Sequence, residues 1–233
     1  MAYRAIFMSD IHGNLPALHA VHQSLPEHDA VFVAGDLCLE GPCPAQVLDL
    51  LAESGWTLIM GNTDRDIVSP PESTKQLKRD RVTWTREALG ADRLERLASL
   101  PFSALCAQEG TNDVLVVHAN PLNMDEHLPP TLSKSELVPY LRNVRSDIVV
   151  FGHLHTPYIR PVDGILLVDV SSVGHPKDRD RRAAYTIITW DGEGRSIEQV
   201  RIPYDLEQTV ALLRASDMPG AGEQIESLLK ASY

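Results

Sequence analysis

The first hundred residues alternate short apolar runs with segments whose apolar positions recur at helical spacing. Apolar runs of strand length occur at 3–9, 30–36 and 56–62, and helical spacing occurs at 15–25 and 44–54. This order predicts a β-α-β-α-β unit. Units of this kind form mostly parallel sheets with right-handed crossovers.

A polar segment between residues 64 and 100 interrupts this alternation. Its first part contains the Pro70-Pro71 pair and predicts a loop, whereas 84–100 has helical character. We therefore predict that 64–100 leaves the sheet as a helical excursion, or cap, over its rim.

The second half of the chain carries further strand signals and one marked helix start. Ser133 and Glu136 form a capping signature for a helix, and Asp163-Gly164 lies between two apolar runs, as in a hairpin. The pattern predicts strands within 102–108, 113–120, 147–153, 156–162, 165–171, 183–190 and 196–204, and then a helical tail from Asp205. This half is predicted to be more antiparallel than the first.

Together these elements predict an α/β protein with one domain spanning residues 1–233 and without internal repeats. Two facing mixed β-sheets with helices outside would cover the apolar faces of both sheets. The predicted fold is therefore a four-layer sandwich of two mixed sheets flanked by helices.

Composition limits the classes of function. The net charge of −11 disfavours extended contact with nucleic acid, which requires clustered Lys and Arg. A small phosphorylated substrate is compatible with this charge when bound divalent cations reverse the local field. No segment approaches the roughly 18 apolar residues that span a bilayer, and the N-terminus lacks the pattern of a signal peptide. We expect no membrane partner and a cytoplasmic location.

The three cysteines, Cys38, Cys43 and Cys106, are too few and odd in number for a disulfide framework. Cys38 and Cys43 have a spacing that occurs in some zinc sites, but no second cysteine pair follows them. We predict that all three are packed thiols.

Polar side chains that bind metals follow five of the predicted strands. They are Asp10, His12, Asp36, Asn62, His118, His153 and His155. Because the carboxyl ends of strands in an open α/β sheet face one crevice, we expect these side chains to converge. Imidazole together with carboxylate and amide oxygen suits Mn²⁺, Fe, Zn²⁺, Co²⁺ or Ni²⁺. Seven ligands exceed one tetrahedral ion and fit two ions about 3.5–4 Å apart that share a bridging carboxylate.

Several other polar residues have simpler interpretations. The run KDRDRR at 177–182 mixes both signs of charge and predicts an exposed turn. Arg65 has two open interpretations, a phosphate ligand through its planar fork or a solvated loop charge. The remaining histidines are interpreted as structural or solvated side chains: His19, His22, His28, His127 and His175.

The order of these motifs resembles the calcineurin-like metallophosphoesterases, and in particular their small bacterial phosphodiesterase-type branch. The motifs are D-x-H, G-D, G-N-x-D, an isolated strand-end His and G-H-x-H. The resemblance implies that Asp36 bridges two divalent metal ions. It implies one metal bound by Asp10, His12, Asp36 and His155, and another bound by Asp36, Asn62, His118 and His153.

The same resemblance implies hydrolysis of small phosphoesters by a metal-bridged hydroxide, with Mn²⁺ as the expected ion. The implied catalytic residues are Asp36, Asn62, Thr63, Asp64 and His118. Many family members have His at the position of Thr63, where it assists the leaving group. A threonine hydroxyl is far too weak an acid for that role. The departure therefore favours phosphodiesters with good leaving groups over alkyl phosphomonoesters.

Two alternatives remain open at this stage. The same site could serve a phosphomonoesterase that acts on nucleotides or phosphoproteins, because loops at the rim determine the substrate. A retromer-type relative of the family instead keeps the fold and acts mainly by protein contacts. Such a scaffold would be expected to have lost some ligands, whereas all seven are present here.

Overall fold

The computed structural model describes residues 2–72, 75–107, 113–192 and 194–232. The described residues form ten strands and seven helices. The strands are β1 (Tyr3–Met8), β2 (Ala30–Val33), β3 (Thr57–Leu58), β4 (Ser103–Cys106), β5 (Val114–Val117), β6 (Ile148–Phe151), β7 (Tyr158–Val162), β8 (Ile165–Asp169), β9 (Ala183–Asp191) and β10 (Gly194–Ile202). The helices are α1 (Leu15–Ser24), α2 (Pro44–Ser54), α3 (Asn62–Val68), α4 (Gln76–Ala98), α5 (Lys134–Leu141), α6 (Leu206–Ala215) and α7 (Ala221–Lys230).

The first sheet has the strand order β10-β9-β1-β2-β3. Its strands β1, β2 and β3 are parallel, as the β-α-β-α-β pattern predicts. The antiparallel hairpin of β9 and β10 joins this sheet through β1, where Phe7 lies opposite Thr186. The C-terminal hairpin thus completes the sheet that the N-terminal residues begin.

The second sheet has the order β4-β5-β6-β8-β7, with parallel strands β5, β6 and β8 between two antiparallel edges. The predicted turn at Asp163-Gly164 joins β7 to β8, with Val162 paired to Ile165. The second half is more antiparallel than the first, as predicted, because β4–β5, β7–β8 and β9–β10 all pair in antiparallel fashion. It nevertheless contains the parallel pairs β5–β6 and β6–β8 at the centre of this sheet.

The two sheets face each other across an apolar layer. Phe7 and Phe32 stack with ring centroids 5.3 Å apart, and they pack in one cluster with Val116, Val150 and Trp190. Because alternate strand residues point to opposite faces, their neighbours pack outward against the helices. The predicted α/β fold of two facing mixed sheets flanked by helices is confirmed.

The segment 64–100 differs from its prediction at the N-terminal end. Where the sequence predicts a loop, α3 begins at Asn62, and the Asp64 carboxylate accepts the N–H of Gly61 at 3.0 Å. An acidic residue in the first turn stabilises the start of a helix. The prediction missed this signal because the whole segment is polar. Helix α4 begins before the predicted helix and breaks at Gly90, where φ is 67°. Residues 73–74 of the predicted cap lie outside the described residues.

The remaining helices follow their sequence signals. Ser133 and Glu136 form the predicted capping box at the start of α5. In the C-terminal tail, α6 and α7 pack against Trp84 of α4, and Arg81 donates hydrogen bonds to the carbonyls of Pro219 and Gly220. Among the described helices, none has the length and hydrophobicity to cross a bilayer.

Candidate metal centre

Side chains from the ends of β1, β2, β5 and β6 gather into two neighbouring groups. The first group contains Asp10, His12 and His155, and their candidate ligand atoms all lie within 4.8 Å of one another. Asp10 Oδ1 lies 3.0 Å from His155 Nε2 and 3.6 Å from His12 Nε2. All three residues are buried. The structure therefore brings together residues that are about 145 positions apart in the sequence.

The second group contains Asp36, His118 and His153, and their candidate ligand atoms also lie within 4.8 Å of one another. His118 Nε2 lies 3.4 Å from Asp36 Oδ1 and 3.2 Å from His153 Nδ1. Asn62, the first residue of α3, places its amide Oδ1 2.9 Å from His118 Nε2. The amide oxygen thus adds a fourth candidate ligand to this group.

Asp36 lies between the two groups. Its Oδ1 faces His118 at 3.4 Å, whereas its Oδ2 faces His12 Nε2 at 3.8 Å. One carboxylate therefore directs one oxygen toward each group, which is the placement that a bridging ligand requires.

The four imidazoles are oriented by hydrogen bonds to backbone carbonyls. His12 Nδ1 lies 3.0 Å from the Leu39 oxygen, and His118 Nδ1 lies 2.7 Å from that of Ala34. His153 and His155 contact the carbonyls of Asp125 and His175 at 3.0 Å and 2.5 Å. A ring nitrogen that donates to a carbonyl leaves the other nitrogen with its lone pair facing inward. Metal-binding histidines characteristically show this arrangement.

The backbone at these strand ends is strained. Five candidate ligands have left-handed φ angles between 49° and 69°: Asp10, His12, Asp36, His153 and His155. Non-glycine residues rarely adopt this conformation, and each instance costs roughly 1–3 kcal/mol. Strain at five of the seven candidate ligands supports a functional role for their placement.

Two glycines allow close approach between these loops. A Cβ at Gly61 would lie 2.2 Å from Asp36 Oδ1, and a Cβ at Gly152 would lie 2.2 Å from Asp10 Oδ2. A side chain at either position would displace a carboxylate. The glycines in the G-N and G-H motifs therefore leave room for the aspartates of neighbouring strands.

The carboxylates of Asp10 and Asp36 favour positive charge on two of the histidines. Burial lowers the pKa of His12, but these two carboxylates outweigh burial and raise this pKa to about 9. Burial likewise lowers the pKa of His118, and the charges of Asp36 and Asp10 again produce a net rise. At His153, burial and the neighbouring His118 and His127 lower the pKa to about 4.

The donor set fits divalent transition-metal ions. Asp10 Oδ1 is buried and has no hydrogen-bond donor among the described residues, although burying such an atom without a partner is costly. Imidazole nitrogen and carboxylate oxygen converge on this position. Such mixed N/O sets suit Mn, Fe, Co, Ni and Zn.

Thr63 and Asp64 support the position of Asp36 from α3. The N–H of Thr63 donates to Asp36 Oδ1 at 2.9 Å. Asp64 accepts the N–H groups of Leu37 and Gly61 at 2.9 Å and 3.0 Å, which ties together the loops after β2 and β3. Burial and the charge of Asp36 raise the pKa of Asp64 to about 6. Thr63 Oγ1 is buried and has no hydrogen-bond partner among the described residues.

A cavity of about 260 Å³ opens over both groups. It is lined by six of the predicted residues: His12, Asp36, Asn62, Thr63, His153 and His155. It is also lined by residues outside the predicted site: Leu39, Glu40, Lys78, His175 and Lys177. A wider groove of about 920 Å³ runs along α6, and neither of the two groups lines it.

His175 is buried beside the first group, in keeping with its interpretation as a structural residue. Its ring centroid lies 5.9 Å from that of His12 and 5.7 Å from that of His155. Its Nε2 lies 2.8 Å from Ser227 Oγ, and its carbonyl oxygen contacts His155 Nδ1. His175 therefore supports a candidate ligand and links it to α7.

The other unassigned histidines are exposed: His19, His22, His28 and His127. His127 nevertheless stacks on His153 with ring centroids 4.1 Å apart. The three cysteines are buried free thiols, as predicted.

At the rim, Lys177 departs from its prediction, and Arg65 is paired with acidic side chains. Lys177, which the sequence places in an exposed turn, is half-buried and lines the cavity, because its backbone N–H donates to the His155 carbonyl at 2.9 Å. Arg65 contacts both carboxylate oxygens of Asp125 at 2.7 Å and 2.9 Å and also contacts Asp66. Its guanidinium is therefore not a free solvated charge.

The fold and the site together define an α/β sandwich whose strand ends carry two adjacent candidate metal sites. Residues 4–193 match the family model of the calcineurin-like phosphoesterase superfamily domain. The chain therefore belongs to the calcineurin-like phosphoesterases, as the motifs predict, and this membership indicates hydrolysis of phosphoesters.

Three known proteins illustrate this similarity. An uncharacterised protein of Methanocaldococcus jannaschii is 27% identical over 238 residues, covering 91% of this chain and 92% of that protein. The crystal structure of a metallophosphoesterase from Sphaerobacter thermophilus superposes with a TM-score of 0.79 at 23% identity, covering 99% and 100% of the two chains. A Pyrococcus horikoshii protein superposes with a TM-score of 0.83 at 20% identity, covering 99% of both chains. At these identities the two solved structures support the fold.

Proposed function

We propose that this protein is a dinuclear-metal-dependent phosphoesterase that hydrolyses small phosphoesters, with a preference for phosphodiesters. The observation that carries this proposal is the position of Asp36, whose two oxygens face two separate groups of candidate ligands at one cavity. Family membership supports the reaction class. The small cavity supports a small phosphorylated substrate.

In this proposal each metal ion is bound by four side chains, and Asp36 contributes to both. The first set is Asp10, His12, Asp36 and His155, and the second set is Asp36, Asn62, His118 and His153. The distances within each group and the inward-facing nitrogens support this assignment. Mn²⁺ is the expected ion, and Fe, Zn²⁺, Ni²⁺ and Co²⁺ suit the same donors.

Divalent ions bound at these sites would lower the pKa of water and neutralise charge on a phosphoryl group. The residues of the chain position these elements. Asp36 holds both sites at a fixed separation, and Asp64 keeps the loops that carry Asp36 and Asn62 together. Thr63 follows Asn62 in α3 and lines the cavity, where its hydroxyl would donate a hydrogen bond to the substrate.

The preference for diesters follows from Thr63. No imidazole occupies its position, so a poor leaving group receives no proton from this side of the site. Phosphodiesters with acidic leaving groups need no such proton. A phosphomonoesterase acting on nucleotides or phosphoproteins, and a protein-binding scaffold, are the alternatives that the experiment below separates. The cytoplasmic location stays a prediction.

The test is a panel of hydrolysis rates on purified protein reconstituted with Mn²⁺, Ni²⁺, Co²⁺, Zn²⁺ or Mg²⁺. Bis-p-nitrophenyl phosphate and p-nitrophenyl phosphate are compared in wild-type protein, in Asp36→Asn and in the exposed control Asp92→Asn. We expect metal-dependent hydrolysis that favours the diester and is lost in Asp36→Asn alone. Faster monoester hydrolysis contradicts the diester preference, and inactivity with every metal favours the scaffold.

A further inference from the structure

We infer that Lys78 and Lys177 form a second anion subsite beside the metal centre, so that the substrate carries a second phosphoryl group close to the scissile one. This inference rests on the proposed function and specifies the substrate class of the same site. Both lysines line the cavity that contains the candidate ligands.

Lys78 is held at the cavity by a buried carboxylate. It lies in the first turn of α4, and its Nζ lies 2.5 Å from Asp66 Oδ2. Asp66 is 3% exposed and also receives the guanidinium of Arg65 at 2.8 Å. Asp66 is therefore shared between two cations, and Arg65 also pairs with Asp125, so this ion-pair cluster holds Lys78 in place. An ammonium group has three donors, which leaves Lys78 able to bind a further oxygen.

Lys177 reaches the cavity from the loop that follows β8. Its backbone N–H donates to the carbonyl of His155 at 2.9 Å, so the residue is attached directly to a candidate ligand of the first metal. Lys78 lies instead near Asp66, three residues after Thr63 in α3. The two lysines thus come from separate elements and converge on one cavity.

The charges around the cavity favour a substrate with more than one negative charge. Apart from the candidate ligand Asp36, the acidic residue that lines the cavity is Glu40. Glu40 lies 3.3 Å from Arg81 Nη1, which offsets its charge, and it also interacts electrostatically with Lys177. A simple phosphodiester carries one negative charge, which the metal centre receives. A second phosphoryl group would meet the two ammonium groups, and lysine is a common phosphate ligand.

The size of the cavity limits the distance between the two groups. Its volume of about 260 Å³ lies just below the ~300–1,000 Å³ usual for ligand pockets. Because both lysines and the candidate ligands line this one cavity, the proposed second phosphoryl group lies within a few bonds of the scissile phosphorus, as in a phosphoanhydride or a diphosphate ester.

The experiment compares binding of imidodiphosphate, which contains two phosphoryl groups, with binding of inorganic phosphate. Affinities are measured by calorimetry on Mn²⁺-loaded wild type, Lys78→Ala, Lys177→Ala and the matched control Arg79→Ala, which removes an exposed cation next to Lys78. Metal analysis before and after each titration detects ions lost to chelation. Thermal unfolding identifies any variant that fails to fold.

We expect wild-type protein to bind imidodiphosphate more tightly than phosphate. Each lysine variant should lose about tenfold in affinity for imidodiphosphate, the effect of removing one charge-assisted contact, with less than about twofold change for phosphate. Lys78→Arg keeps a cation at this position and should retain most of the affinity. Arg79→Ala should match wild-type protein.

Equal affinity of wild-type protein for the two probes, or unchanged imidodiphosphate binding in the lysine variants, overturns the subsite. Equal losses for both probes also overturn it, because the lysines would then act on the first phosphoryl group. The diester assay on the same wild-type preparation separates these results from failure of the proposed function. Diester hydrolysis with unaffected lysine variants refutes the subsite alone, whereas absence of all hydrolysis refutes the proposed function.

Discussion

His12 and His155 place their Nε2 atoms 3.2 Å apart inside the protein. The Nδ1 of each ring faces a backbone carbonyl, so the inward nitrogens both carry lone pairs when the rings are neutral. Two lone pairs at this distance repel unless a cation or a proton lies between them. A positive charge is therefore favoured between the two rings. Asp10 Oδ1, which is also buried without a donor among the described residues, favours the same charge.

The preference for a cation at this position predicts that metal binding releases protons. In the metal-free protein the pKa of His12 is raised to about 9, so His12 is protonated at pH 7 and a metal ion must displace that proton. The apparent affinity for Mn²⁺ should rise with pH up to about 9. Calorimetry at pH 7 in buffers of different ionisation enthalpy should show buffer-dependent heats, and identical heats in all buffers would contradict the assignment.

Thr63 is predicted to control the ratio of monoester to diester hydrolysis. Thr63→His introduces an imidazole where a leaving group requires a proton. A positioned general acid contributes about 10²–10⁴-fold, and we expect the monoester-to-diester ratio of kcat/KM to rise at least about tenfold. Thr63→Val removes the hydroxyl without adding an acid and serves as the control. A ratio that is the same in Thr63→His as in Thr63→Val would show that this position does not set the preference.

The ion pair between Arg65 and Asp125 is predicted to position His153. Arg65 holds the Asp125 carboxylate through two contacts, and the Asp125 carbonyl accepts the hydrogen bond from His153 Nε2. Asp125→Asn should therefore weaken Mn²⁺ binding and reduce kcat by about tenfold, at the low end of the ~10–100-fold effect of losing an outer partner, because the Asp125 carbonyl itself remains.

The matched control for that experiment is Asp163→Asn, which removes an exposed ion pair with Lys134 at the β7–β8 turn. This control should leave metal affinity and kcat at wild-type values. If Asp125→Asn lowers thermal stability while metal affinity stays unchanged, the ion pair is structural only and the positioning role is wrong.

Asp169 is predicted to make stability depend on pH. Burial raises the pKa of this carboxyl well above its usual 3.8, although the N–H of Ser171 opposes the shift. The folded state therefore favours the protonated form, and this stabilisation is complete below pH 3.8 and is lost as pH rises through the folded pKa. Relative to Asp169→Asn, wild-type protein should lose about 1.4 kcal/mol of unfolding free energy per pH unit within that window.

Urea unfolding of wild type and Asp169→Asn at a series of pH values from 4 to 8, in the presence of a chelator, measures this difference. The exposed change Asp92→Asn is the control. A constant difference between wild type and Asp169→Asn across the series would show that Asp169 is ionised in the folded protein throughout.

The sequence predicts the positions of the candidate ligands because they follow a rule of topology. Parallel strands bring their carboxyl ends to one edge, so Asp10, Asp36 and His118 converge although helices separate them in the chain. The left-handed φ angles at five of these residues were not predictable. They depend on contacts between loops, such as the hydrogen bond from the Thr63 N–H to Asp36.

The rim of the site was less predictable, because it depends on packing between distant segments. Lys177 was interpreted as part of an exposed turn because its neighbours in the sequence are charged. Its backbone hydrogen bond to the His155 carbonyl leaves no signal in the sequence. Lys78 reaches the cavity because α4 lies beside the site. The position of α4 cannot be predicted from the sequence around Lys78. Helix α3 was missed because its polar residues suggest a loop. In the structure Asp64 and Asp66 are buried and make polar contacts there.

The most direct test of the central claim is a Mn²⁺ titration of the metal-free protein, followed by the rate of bis-p-nitrophenyl phosphate hydrolysis and by bound metal per chain. The proposed centre predicts that activity rises until two ions are bound per chain and then remains constant, because Asp36 must hold both ions for hydrolysis. Full activity with one bound ion, or no activity with two, would contradict a dinuclear phosphoesterase.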